Sequence, residues 1–271
     1  MQYILVRHGG LGDVLMVCGA AKALKYMGHS TFISTDVKYQ TLVERCPHES
    51  KSIQSPNTPI DLHPVSFGIA AEHQIDAYIR ATGNDPSQIP PEYKTIDINF
   101  DRLPKHKNKT VAIHRKAVDR NRRYDRWDEV IELLTTNGIS IKLVGESGLG
   151  LVGSMSEIER CHAFASCDSG PIQLAAPTST PIVGIYTVTR GEWRLPFGKK
   201  SKAIWPECPS YPCYQRLSDP AVVEEQINSE LKYGLTLAEA FGNMCPQGRM
   251  CDCLNAIEPS EIVNAIVGIM L

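Results

Sequence analysis

The chain opens on a short apolar run, Tyr3 to Val6, that halts at Arg7 and gives way to "HGGLGDVLMVCGAAKALKYMG", where apolar positions recur at helical spacing. A β-like run of about five residues followed by a helix-like run closed by glycine is the pattern of a βα unit. "STFISTD" and "VKYQTLVERCP" repeat it. Residues 47–68 are rich in Pro, Ser and His and predict irregular chain, after which "IAAEHQIDAYIRATG" reads as a helix ended by Gly83. The stretch "NDPSQIPPEYKTIDINFDRLPKHKNK" is rich in proline and lysine and reads as a connection between domains. The rhythm then resumes. "KTVAIHR" predicts a strand, "DRWDEVIELLTTNG" a helix, "ISIKLVG" a strand, "SEIERCHAFASC" a helix, "DSGPIQLAAPTST" a turn with a short helix, and "PIVGIYT" a strand. Two such arrays predict two Rossmann-like lobes, residues 1–104 and 105–271, whose parallel sheets face a central cleft.

Composition narrows the class without changing the fold. The chain has 271 residues, 42% of them hydrophobic, and a formal net charge of -2, so it has enough apolar material for a sizeable core. A near-neutral balance argues against polyanion binding by the whole surface. The apolar run before Arg7 is too short for a secretory core or a membrane span, which makes a cytoplasmic protein the expectation. Nine cysteines then read as reduced thiols or metal ligands rather than as a disulfide framework.

Two turns carry candidate chemistry. The first is formed by Gly9, Gly10 and Gly12 with Asp13 at or near the start of the following helix. No Lys-Ser/Thr follows the glycines, as a P-loop needs, and "GGLGDV" is not a dinucleotide fingerprint. A tight turn remains whose N–H groups suit a polar or anionic ligand, while the simpler role for Asp13 is to cap its helix. The second is Asp168, Ser169 and Gly170, followed by Pro171 at a position that needs no N–H donor. Its free N–H groups and the Ser169 hydroxyl suit a diphosphate, although Asp-Ser-Gly-Pro is also a common capped turn.

Taken together, "GGLGDVLMVCGAAKAL" and "CDSGPIQLAAPTSTPIVGIYT" resemble the bacterial heptosyltransferases of glycosyltransferase family 9. The resemblance extends to "RRYDRWDEVIELL" and to the tail "CLNAIEPSEIVNAI". It implies a GT-B fold and an inverting transfer from a nucleoside-diphosphate sugar, an ADP-sugar by preference, to an acceptor hydroxyl. By the same resemblance Asp13 is the general base, Asp168, Ser169 and Gly170 bind the donor diphosphate, and Arg126 stabilises the leaving group, with Arg122 and Arg123 as rivals. Two departures stand out. Gln173 replaces a histidine usual in the family, and little chain lies between "VGES" and "SEIERC", where the nucleobase is usually held. Glu146 and Ser147 are the nearest candidates for base or ribose.

Five cysteines, Cys208, Cys213, Cys245, Cys251 and Cys253, gather in the last quarter of the chain and suggest a structural zinc or iron site, a motif that some relatives of the family carry. Cys18, Cys46, Cys161 and Cys167 fit simple packing better. Trp193 and Arg194 follow a second-lobe strand and are candidates for the cleft wall, whereas His48, His63 and His73 read as surface or capping residues. The basic run from Lys105 to Arg126 reads chiefly as linker and solvated face, with the acceptor open among glycan, protein and nucleic acid. Two rival functions are a nucleotide-sugar-binding scaffold and a sugar-nucleotide epimerase on the same fold.

Overall fold

The computed structural model describes residues 1–52, 58–66, 72–117, 120–213 and 252–271. In the first sheet β1 (Gln2–Val6) is central, with β2 (Ser30–Ser34) and β3 (Ile60–Asp61) parallel on either side. Val6 pairs with both Ser34 and Asp61, so the chain leaves β1 at the carboxyl edge of the sheet. That edge is where open α/β sheets place their ligands.

The helix that follows, α1 (Leu11–Tyr26), is apolar on nearly every side, and its residues from Val14 to Leu24 are buried except Lys22. A helix of that kind belongs in the interior. It ends where Gly28 adopts φ +82°, a left-handed conformation that stops a helix without a Cβ clash. Around it lie α2 (Val37–Val43), the single turn α3 (His63–Ser66) and α4 (Gln74–Ala81). Residues 84–109 carry only two 3-10 turns, yet Ile89, Ile96 and Ile98 are buried, so the connection is packed down against the first lobe's core.

The second sheet is wholly parallel, in the order β5-β4-β6-β7-β8, from β4 (Thr110–His114), β5 (Ser140–Leu143), β6 (Ala163–Cys167), β7 (Ile182–Ile185) and β8 (Ser201–Ile204). Alternate residues face opposite helices. Val111, Ile113, Ala163 and Ala165 pack with α5 (Trp127–Thr136) and α8 (Pro259–Met270), while Ala112 and Phe164 pack with α6 (Gly150–Arg160) and α7 (Gly170–Leu174). The helix predicted over "SEIERCHAFASC" is therefore corrected. It ends at Arg160, and Ala163–Cys167 form a strand buried on both faces. A strand covered on both sides shows no polar alternation, and small residues carry little β signal of their own.

One apolar cluster runs from Leu5 through α1 into Ala112, Phe164 and Ile182 of the second lobe. The lobes meet where α1 touches α7. A Cβ on Gly170 would stand 2.8 Å from Leu11 Cβ and 3.2 Å from the Gly12 nitrogen, and one on Gly12 would stand 3.3 Å from Gly170 Cα. At Gly170 a Cβ would force Leu11 to shift, and at Gly12 it would be tight. Replacing Gly170 with valine should destabilise the protein by about 1–3 kcal/mol, the usual penalty for overpacking. An unchanged midpoint in urea unfolding would show that the two helices do not depend on this contact.

Candidate functional site

The glycine turn is shaped from both ends. Gly9 sits at φ +102° and its N–H donates to Asp36 Oδ2 at 3.0 Å, while His8 Nδ1 lies 2.9 Å from Asp36 Oδ1. These contacts hold the Asp36 carboxyl below its ordinary range, the Gly9 N–H acting most strongly. The N-cap of α1 is Gly10 and not Asp13, which lies in the first turn and makes no capping bond. A Cβ on Gly10 would come within 3.0 Å of Asp13 Oδ2, so the glycine leaves room for the carboxylate to fold back.

Asp13 folds back onto Arg7, whose Nη2 donates to Asp13 Oδ2 at 2.7 Å. Arg7 is buried at the end of β1 and is held on every side. Its Nε donates to Tyr78 Oη at 3.3 Å, and its Nη1 meets the His8 carbonyl and His63 Nδ1. The other carboxylate oxygen, Oδ1, faces the second lobe, where Arg194 Nη1 stands 3.5 Å away. Asp13 is thus gripped by one guanidinium from each lobe. The sequence marks Arg7 only as the end of an apolar strand, and nothing local announces its burial.

The segment that carries Arg194 is fastened to both lobes. Gln173, buried on α7, donates its amide N–H to the Arg194 carbonyl. His73, from the first lobe, donates Nε2–H to the Leu195 carbonyl at 2.9 Å, while its Nδ1 accepts from the Ile75 N–H and caps α4. Its ring also packs on Phe197, with centroids 3.9 Å apart. His73 does cap a helix as expected, but it is buried rather than superficial.

At the second turn, Asp168 is buried and its Oδ2 accepts from Thr189 Oγ1 at 3.0 Å. Its side chain ties the turn to the loop after β7. Ser169 is the N-cap of α7, and its hydroxyl makes no capping bond but lies 3.0 Å from Ser166 Oγ, which in turn is 3.5 Å from His114 Nδ1. Burial lowers the His114 pKa, so this line of polar groups ends in a neutral imidazole. Tyr186, fully buried just after β7, has no hydrogen-bond partner for its hydroxyl among the described residues, and burial raises its pKa well above the ordinary value.

The remaining predicted residues are engaged elsewhere. Arg126 forms a fork with Glu129 at 2.8 and 2.9 Å and reaches Glu258 at 3.3 Å, which joins the start of α5 to the start of α8. Glu146 accepts a two-pronged contact from Arg115 at 3.1 and 2.9 Å. Cys208 and Cys253 are half-buried and Cys213 is buried, while Cys245 and Cys251 lie outside the described residues. Among the described residues the metal-type ligands brought together are His106, Glu157 and Cys161, within 4.8 Å of one another. His106 Nε2 and Glu157 pair at 3.0 Å, and burial pushes the Cys161 thiol up to about 12, where it is a poor ligand.

Residues 147–221 match glycosyltransferase family 9 (heptosyltransferase). Solved structures extend the likeness to the whole fold. The iron-containing dodecameric glycosyltransferase TibC from enterotoxigenic E. coli H10407 is 15% identical over 99% of this chain and 78% of its own, with a TM-score of 0.71. The family 9 glycosyl transferase from Veillonella parvula DSM 2008 is 13% identical over 99% of this chain and 97% of its own, at 0.65. E. coli heptosyltransferase WaaC with ADP-2-deoxy-2-fluoro heptose is 13% identical over 85% and 100%, at 0.53. The family match is confined to residues 147–221, and the likeness to these structures gives the chain a GT-B fold. No curated protein matches it in sequence. Among the described residues no helix is long and apolar enough to cross a membrane.

His73 gives the lobe junction a pH dependence. Burial, with Arg194 and Lys94 nearby, brings its pKa down to about 4, against 6.5 for an ordinary histidine. The unfolded chain then binds the extra proton first, so the stability gained is complete above about pH 6.5 and is lost as pH falls towards 4. The loss is on the order of 3 kcal/mol. Urea midpoints measured from pH 7 to pH 4 should fall more steeply for the wild type than for His73→Gln; parallel curves would contradict the assignment.

Proposed function

We propose that the protein is an inverting glycosyltransferase that moves a sugar from a nucleoside-diphosphate sugar to an acceptor hydroxyl. One observation carries this reading. Asp13 sits at the junction of the lobes, held by Arg7 from one and Arg194 from the other, one residue from the contact between Gly12 and Gly170. An acceptor hydroxyl beside Asp13 can pass its proton to the carboxylate while its oxygen attacks the anomeric carbon from the face opposite the leaving group.

The second lobe supplies the donor side. Ser169 and the N–H groups of its turn meet the diphosphate in this reading, and Asp168 acts by fixing the turn through Thr189, since a carboxylate against a diphosphate would repel it. Ribose and base belong at the exit of β5, near Glu146. Gln173 serves the site by holding the segment that bears Arg194. We favour an ADP-sugar, in line with the ADP-heptose held by TibC and the ADP-sugar analogue held by WaaC. Arg126, the residue expected at the leaving group, is bound by Glu129 and Glu258. Cys208, Cys213 and Cys253, with Cys245 and Cys251, are the residues to hold a structural zinc or iron, through which no step of the transfer runs.

Changing Asp13 to asparagine should lower the rate of ADP release from an ADP-sugar in the presence of acceptor by about 10²–10⁴-fold, the range for a general base, without loss of nucleotide binding. Full activity would remove the base assignment. The donor can be named independently by a thermal-shift panel of ADP, UDP, GDP and CMP, in which a ligand at about 100 times its dissociation constant adds about 2.7 kcal/mol. The shift should shrink in Asp168→Ala; no shift with any nucleotide would remove the donor site.

A further inference from the structure

Asp13 has two guanidinium partners, and they are not equivalent. Arg7 belongs to the same lobe, is buried, and is fixed by Tyr78, His63 and the His8 carbonyl as well as by Asp13. Arg194 comes from the other lobe and among the described residues has one side-chain ion pair, the longer one at 3.5 Å. A guanidinium carries five N–H donors, so among the described residues most of those on Arg194 are uncommitted. Its main chain, by contrast, is immobilised, because Gln173 holds the Arg194 carbonyl and His73 holds the next one. The result is a cation with a fixed base and a loosely engaged head, placed between the carboxylate of one lobe and the diphosphate side of the other. Arg126 and Arg115 on the same lobe are bound more closely, Arg126 by Glu129 and Glu258, and Arg115 by Glu146 and Asp128.

We propose that Arg194 is a two-position cation that couples donor binding to the release of the base. The inference rests on the glycosyl-transfer reading above. Without donor, Arg194 pairs with Asp13 Oδ1. When the diphosphate arrives, its greater negative charge draws the guanidinium across, and Oδ1 is left open to the acceptor hydroxyl, while Oδ2 stays on Arg7. In the transfer the acceptor oxygen bonds to the anomeric carbon and its proton passes to Oδ1. The bond from that carbon to the diphosphate oxygen breaks, the electron pair leaves with the diphosphate, and Arg194 faces the charge that builds there. Donor must then bind before acceptor, because the base is covered until it does.

The test needs neither acceptor nor intact donor. Binding of ADP, UDP and GDP to the wild type by calorimetry identifies the best-bound diphosphate, and its monophosphate serves as control. Arg194→Ala should weaken the diphosphate by about 10–100-fold, the range for a charge-assisted hydrogen bond, and change the monophosphate by less than about threefold. Asp13→Asn removes the competitor for Arg194, so it should bind the diphosphate several-fold tighter. That gain should vanish in the double variant Asp13→Asn with Arg194→Ala, and Arg194→Lys should restore part of the lost affinity. If mono- and diphosphate weaken alike in Arg194→Ala, or if Asp13→Asn leaves diphosphate affinity unchanged, the two-position role is overturned and the glycosyl-transfer reading stands. If the wild type binds none of the three diphosphates, that reading falls and takes this inference with it.

Discussion

Two helices start against each other with a glycine on each at the point of contact. A carbon added at Gly170 of α7 would stand 2.8 Å from Leu11 Cβ of α1, and one added at Gly12 would be tight against the Gly170 backbone. Packing of this kind leaves little freedom, because interiors are dense and forfeit attraction quickly when a gap opens. The contact fixes how closely α1 and α7 approach, and so which residues can meet between the lobes. Asp13 follows Gly12 directly, and Ser169 precedes Gly170. Apolar packing continues on either side, from Leu5 through the buried face of α1 to Phe164 and Ile182. The two lobes are joined here by a shared core, and motion in the site is therefore assigned more economically to a side chain than to a hinge.

The carboxylate at this junction solves an electrostatic problem for the strand before it. Arg7 is buried at the end of β1, and a buried cation is tolerated only where it is paired and hydrogen-bonded. Asp13, the His8 carbonyl, Tyr78 and His63 together meet that need. The same contacts orient Asp13 before any ligand arrives. A group held in place by its own lobe needs little rearrangement when the reaction begins, which is how polar sites gain their effect.

The alternation of β and α segments was readable because each unit keeps its own period and its own glycine stop, as at Gly28 after α1. β6 escaped this reading because Ala163–Cys167 is built from small residues covered on both faces. Both turns could be found from their local chemistry, Gly9 to Asp13 and Asp168 to Gly170. Their meeting could not, since residues 12 and 170 are brought together by the packing of two lobes. Arg7 looked like punctuation at the end of a strand, and its role depends on Tyr78 and His63, far along the chain. Arg126 shows the opposite limit, for its position before a helix was clear, but Glu258, which lies at the start of α8, could not be placed beside it from the sequence.

Gln173 shows how a departure from a family pattern can be accounted for by its surroundings. Its amide holds the Arg194 carbonyl from the second lobe, and His73 holds the Leu195 carbonyl from the first. Two successive carbonyls thus receive neutral donors from opposite sides of the cleft. A protonated imidazole in place of Gln173 would add a positive charge beside Arg194, which already opposes protonation of His73. A neutral amide secures the segment without that repulsion. Positive charge is then left to the guanidinium of Arg194, the group on this segment that reaches Asp13.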